Sequence, residues 1–93
     1  MANTKAIQIR KIAESIRDIE ISPVDETIYQ IIFQLTQERK NQKISQEELA
    51  SRTGLTKNTI SRVETFVSTP TLQVLIKMAN ALGLNLSLQN KNT

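Results

Sequence analysis

The stretch from Gln46 to Glu64, QEELASRTGLTKNTISRVE, constrains this chain most. Ser45-Gln46-Glu47-Glu48 has the form of a capping box. In such a box the Ser45 hydroxyl meets the Glu48 amide, and the Glu48 carboxylate reaches back to the Ser45 amide. Leu49 and Ala50 follow, so a helix is predicted to about Thr53. Gly54 can take the left-handed conformation that closes a helix, and Leu55 is an apolar plug in the turn. Thr56 caps a second helix, from about Lys57 to Thr65, with Ile60 and Val63 inward. Small Ala50 sits where the two helices must approach closely. Lys57, Asn58, Ser61 and Arg62 are left free on another face.

The flanks supply the rest of a small domain. Ser22-Pro23-Val24-Asp25 reads as a helix start, because proline at the first helical position loses no needed hydrogen bond. Asp25 and Glu26 suit the positive end of the helix dipole. Ile28, Ile31, Ile32 and Leu35 form one apolar stripe, with Phe33 at its flank, and that helix should end near Lys40 or Asn41. Thr71 is a cap for a later, longer helix whose buried stripe is Leu72, Leu75, Met78, Ala79 and Leu82, and Gly83 stops it. Leu84, Leu86 and Leu88 then alternate with polar residues, which is the period of a strand. Before Ser22, residues Ile9, Ile12, Ala13 and Ile16 recur at helical spacing, giving an amphipathic N-terminal extension. The expected fold is all-α: a compact domain of four to five helices over 22–83, preceded by the extension 1–21 and followed by a short strand and tail over 84–93.

Composition removes several function classes. With 93 residues, one compact domain and a short extension are the ceiling. Tyr29, Phe33 and Phe66 are the only aromatic residues, so the core must be aliphatic. Cysteine and histidine are absent, which argues against thiolate chemistry and the usual zinc, iron or copper sites. No cofactor is expected, and no enzymatic role, because the carboxylates form no recognisable pocket motif. No apolar run approaches the ~20 residues of a membrane span, and no secretion signal is recognisable. A cytoplasmic location is the expectation. Charge is unevenly spread. From Glu14 to Glu26 there are five acids and one base, whereas from Arg39 to Arg62 there are six bases and two acids. A basic middle of this kind admits a nucleic-acid partner without proving one.

Two short helices around a turn, one bracing and one displaying polar side chains, are what a helix-turn-helix needs to enter a major groove. The stretch resembles the lambda/434 repressor and Cro class, also called the xenobiotic-response-element class. The marks are Arg39, Ser45-Gln46-Glu47-Glu48-Leu49-Ala50, Gly54-Leu55-Thr56, Thr59-Ile60-Ser61-Arg62-Val63-Glu64, Pro70-Thr71-Leu72 and Ala79-Asn80-Ala81-Leu82-Gly83. The resemblance runs from about Ile28 to Leu84. It implies base-reading positions at Lys57, Asn58 and Arg62. Chemistry agrees that Asn58 can bond bidentately to adenine and Arg62 to guanine. Lys43, Gln46, Thr56 and Lys57, with Ser61, Ser68 and Thr69, are candidates for sugar and phosphate contacts. The resemblance also implies a partly buried salt bridge between Arg39 and Glu64.

One position departs from the pattern. Phe66 stands where relatives often carry Gly or Asn at a sharp backbone turn, and phenylalanine tolerates the left-handed region poorly. The loop after the reading helix is therefore expected to follow another path. Phe66 is then packed into the core, at a dimer contact, or exposed.

The ends narrow the expectation further. A lone strand leaves its backbone groups unpaired at an edge, so Leu84, Leu86 and Leu88 are candidates for pairing with a second copy; alternatively they cover the core of one copy. Such a lid is similar to the HipB and HigA kinds of antitoxin, which would add a toxin partner. The expected function is a sequence-specific repressor, a homodimer on a palindromic operator of double-stranded DNA. A stand-alone regulator without a toxin is the first alternative. A protein-interaction module without DNA affinity is the second, and basic Lys57 and Arg62 count against it.

Overall fold

The computed structural model describes residues 22–90. They form four helices: α1 (Pro23–Asn41), α2 (Gln46–Thr53), α3 (Lys57–Glu64) and α4 (Leu72–Ala81). Each begins in the same way. Ser22, Ser45, Thr56 and Thr71 stand in extended conformation, and each side-chain oxygen accepts from the backbone N–H three residues on, at 3.0–3.2 Å. These caps satisfy donors that the first helical turn leaves without partners. The Glu48 half of the capping box is not made. Its carboxylate instead pairs with Arg52 one turn on, an opposite charge on the same helix face.

The ends of α1, α3 and α4 are also alike, whereas α2 closes at Gly54. Lys43, Phe66 and Gly83 each take positive φ, at 58°, 61° and 76°. The N–H of the following residue then bonds back to a carbonyl of the last helical turn. Ile44 donates to Arg39, Val67 to Arg62 and Leu84 to Ala79, at 2.8–3.0 Å. This is the Schellman closure, and here two of the three left-handed positions are not glycine. The second overturns the expectation for the loop after α3. Phe66 keeps the sharp left-handed turn rather than taking another path, and it is 42% exposed rather than in the core. Its ring meets Tyr29 of α1 edge-to-face, with centroids 5.2 Å apart. Such a contact contributes about 0.5–1.5 kcal/mol, which offsets much of the roughly 1–2 kcal/mol that the left-handed backbone costs.

The helices enclose one aliphatic core. α1 contributes Ile32 and Leu35, α2 Leu49 and Ala50, α3 Ile60 and Val63, and α4 Leu75, Met78 and Ala79. Ile44 and Leu82, from the turns that end α1 and α4, complete it. α1 packs against α3 and α4, and α2 also packs against α3 and α4. The Gln42 amide in the turn after α1 donates to the Leu82 carbonyl at 2.7 Å, joining the ends of α1 and α4.

Two further expectations are corrected. Leu72 is not part of the buried stripe of α4, being 65% exposed. It lies in the first turn, beyond the edge of the core that begins at Leu75. Residues 84–90 form no strand among the described residues. Leu84 closes α4 through its N–H, Leu84 and Leu86 lean on the core, and Leu88 is fully exposed. Alternation there reflects side chains that turn toward and away from one core. A ladder would need a second backbone alongside. The helical N-terminal extension over 1–21 lies outside the described residues, as do residues 91–93. No helix among the described residues is long and apolar enough to cross a membrane.

Candidate nucleic-acid interface

α3 is eight residues long and divided by face. Ile60 and Val63 are buried, at 0% and 2% exposure. At about 100° per residue, Asn58 points almost directly opposite their mean direction, and Arg62 lies one turn further on beside it. Asn58, Arg62 and Lys57 are all exposed, whereas Ser61 is half-buried. Asn58 and Arg62 engage no other side chain through a hydrogen bond or ion pair among the described residues. The helix thus carries one amide and one guanidinium side by side, outward from a fixed base.

Three groups fix that base. Arg39, in the last turn of α1, donates from Nε to Glu64 Oε2 at 2.7 Å and from Nη2 to Glu64 Oε1 at 2.9 Å. Its Nη1 donates to the Ile44 carbonyl at 2.8 Å. Gln46, first residue of α2, donates from Nε2 to Glu64 Oε1 at 3.0 Å. The side chains of Arg39 and Glu64 are only 11% and 4% exposed. A planar guanidinium matches a carboxylate through two parallel bonds, which sets direction as well as distance. The end of α3 is therefore tied to α1, to the turn after α1 and to the start of α2.

The other end is held by the turn. Gly54, at φ 75°, donates to the Ala50 carbonyl at 2.9 Å. Leu55 packs on the core while its N–H donates to Thr53 Oγ1 at 3.2 Å. Thr56 Oγ1 then accepts from the Thr59 amide and shares a hydrogen bond with the Thr59 hydroxyl. Thr56 itself is exposed. Lys57, first residue of α3, approaches Glu47, second residue of α2, with Nζ 3.1 Å from Oε2. The Glu47 carboxyl is held below its usual range, first by a hydrogen bond with its own backbone amide and then by the hydrogen bond and charge of Lys57.

The remaining candidates are spread around this helix. Lys43 is exposed in the turn between α1 and α2, and Gln46 is half-buried with one amide hydrogen already given to Glu64. Ser68 and Thr69 lie in the segment joining α3 to α4, half-buried and exposed respectively. Local spacing gave no sign of the Gln46–Glu64 bond, the Gln42 tie to α4 or the Glu47–Lys57 pair. The last could have been suspected from opposite charges in the first turns of two helices joined by a short turn.

The basic middle of the chain is thus divided in use. Arg39 is consumed inside the fold, and Arg52 braces α2 through Glu48 and reaches the Ala81 carbonyl. Lys40, Lys43 and Arg62 remain exposed, without a salt bridge among the described residues.

Comparison with known proteins agrees with this architecture. A helix-turn-helix family profile matches residues 35–89, more than half of the chain. An uncharacterized HTH-type transcriptional regulator, y4dL, of Sinorhizobium fredii (strain NBRC 101917 / NGR234) is 43% identical over 61 residues. That covers 66% of this chain and 31% of the relative, so the chain matches about a third of the relative's length. No solved structure matches the chain. On the profile match, and with two short helices set around Gly54 as described, the chain belongs to the Cro/C1-type helix-turn-helix family of DNA-binding domains.

Proposed function

We propose that this protein is a sequence-specific transcriptional regulator rather than an enzyme, and that α3 reads the major groove of double-stranded DNA. The observation that carries the reading is the outward face of α3: Asn58 and Arg62 project from a helix whose opposite side is buried and whose last residue is held by a bidentate arginine. Asn58 matches adenine N6 and N7, Arg62 matches guanine O6 and N7, and Lys57 reaches guanine or a phosphate. Ser61 on α3, with Lys43, Gln46, Thr56, Ser68 and Thr69 on the segments flanking it in the chain, supplies sugar and phosphate contacts, which give affinity and register rather than sequence choice.

The test is selection of bound duplexes from a random pool, followed by footprinting on the recovered sequence. A defined motif a few base pairs wide, protected in the major groove, is the expected result. Recovery of no motif refutes the reading.

Regulation through a palindromic operator requires two copies, with reading helices about 34 Å apart. The proposed protein is a homodimer, and the C-terminal segment is the proposed contact, because Leu88 is wholly exposed beside core-packed Leu84 and Leu86. Removing residues 84–93 should shift sedimentation at micromolar concentration toward monomer. An unchanged mass rules that segment out. The narrower role, an antitoxin that represses its own operon, rests on the resemblance to the HipB and HigA kinds. It requires a toxin bound by this chain, and co-purification with the product of an adjacent small gene decides it.

A further inference from the structure

Lys57 is already occupied before any DNA arrives. Its ammonium sits 3.1 Å from the Glu47 carboxylate, and both side chains are exposed on the side of the molecule where α3 begins. The pairing has reasons on both sides. Lys57 is the first residue of α3, where the helix dipole is positive and disfavours a cation. Glu47 is in the first turn of α2, where the same effect favours a carboxylate, and its own amide and Lys57 both hold it ionised. Two neighbouring helix starts therefore complement each other through one carboxylate and one ammonium.

We infer that Glu47 is a specificity-determining residue of the DNA interface, keeping Lys57 engaged until a guanine edge at the correct position offers a better partner. The inference rests on the reading of α3 given above. On random DNA the ammonium is shared between Glu47 and the phosphates, so Lys57 contributes only part of its charge to the sequence-independent attraction. Glu47 also repels the polyanion. On the selected sequence, the O6 and N7 atoms of guanine draw Lys57 away from the carboxylate. Because an exposed ion pair is weak, the exchange needs only one good base contact. Glu47 touches no base in this scheme and acts through Lys57.

The experiment uses the full chain, the duplex recovered by selection and a random duplex of the same length, each titrated over a range of salt. Glu47→Gln should raise affinity for random DNA several-fold at low salt and steepen its salt dependence by up to about 0.9, the value for one more fully neutralised phosphate. Affinity for the selected duplex should change less, so the ratio of selected to random binding falls. In a Lys57→Gln background, the same change at Glu47 should lose most of its effect. Melting curves of the variants, which alter exposed side chains alone, report on folding.

An unchanged ratio in Glu47→Gln overturns the inference. So does an equal effect of Glu47→Gln with and without Lys57, which would mean simple repulsion of the phosphates. Either result leaves α3 as the reading helix, because the unmodified protein still selects its motif. Failure of that protein to select any motif refutes the reading of α3 itself.

Discussion

Truncating Glu64 to alanine should strip three hydrogen bonds from a nearly buried site and remove the whole carboxylate. Arg39 would lose the acceptors of Nε and Nη2 and keep only the Ile44 carbonyl, and Gln46 would lose its own acceptor. The guanidinium stays largely buried, with 11% of its side chain exposed, and it cannot lose its charge. Removing one partner of a buried pair costs roughly 3–5 kcal/mol. The retained Ile44 bond and residual water access place this case near the lower end, at about 3 kcal/mol. For a domain of this size each kcal/mol moves Tm by about 4–8 °C, so a fall of roughly 12–24 °C is expected. Replacing both partners, as Arg39→Met with Glu64→Leu, leaves no orphaned charge and should recover most of the loss. Thermal melts of Arg39→Met, Glu64→Leu and the double variant close a cycle, and a coupling well above 0.5 kcal/mol is expected for residues in direct contact. A loss under about 1 kcal/mol for Glu64→Ala, with no coupling, would show that the pair behaves as a surface ion pair and would refute the argument from burial.

Lys43→Gly should raise stability by about 1 kcal/mol or less, because relief of the roughly 1–2 kcal/mol left-handed cost at φ 58° outweighs the ~0.4–1 kcal/mol of extra unfolded-state entropy that glycine brings. The same variant should bind selected and random DNA more weakly alike, and its salt slope should fall in magnitude by about 0.9 if Lys43 holds a phosphate. Asn58→Ala should lose roughly 1–3 kcal/mol of discrimination at one base pair and leave random binding nearly unchanged; parallel titrations of both duplexes decide it. Glu47 should titrate below the ordinary carboxylate range by NMR, and Lys57→Gln should raise its pKa part of the way, leaving the contribution of its own amide. Because that pKa is depressed by folding, the Glu47 contribution to stability is present at neutral pH. It is lost as pH falls through the lowered value.

What could be read in the chain follows the range of the interactions. The four N-caps are local, three residues from oxygen to amide, and Ser22, Ser45, Thr56 and Thr71 marked each of them in the sequence. The inward pairs Leu49–Ala50 and Ile60–Val63 were legible for the same reason. Leu72 misled because periodicity marks a face but not where along it the core stops. Leu84, Leu86 and Leu88 misled because side-chain alternation does not show whether a second backbone lies alongside. Phe66 misled because a propensity was weighed without Tyr29, 37 positions earlier, whose ring supports the turn. The outward face of α3 was visible from spacing. The Arg39–Glu64 contact, 25 residues apart, was suggested by family resemblance alone, and the Gln46 bond to the same carboxylate by nothing in the spacing.

The tie at Glu64 lies at one tip of α3, and the side chains proposed to read bases begin at the other. Seven residue steps separate Lys57 from Glu64, a lever arm of about 10.5 Å. A rotation of about 10° about the Glu64 anchor would sweep the Lys57 end through about 1.8 Å, several times the roughly 0.5 Å range over which a hydrogen-bond length stays favourable. A clamp at one end, however strong, thus cannot aim this helix. The second bearing is apolar: Leu55, seated on the core just before α3, and Ile60, fully buried midway along it. Slackness at Leu55 would blur the register of the near end of α3 while the Glu64 tie still held, so the aim of the helix depends on this apolar seat as much as on the ion pair.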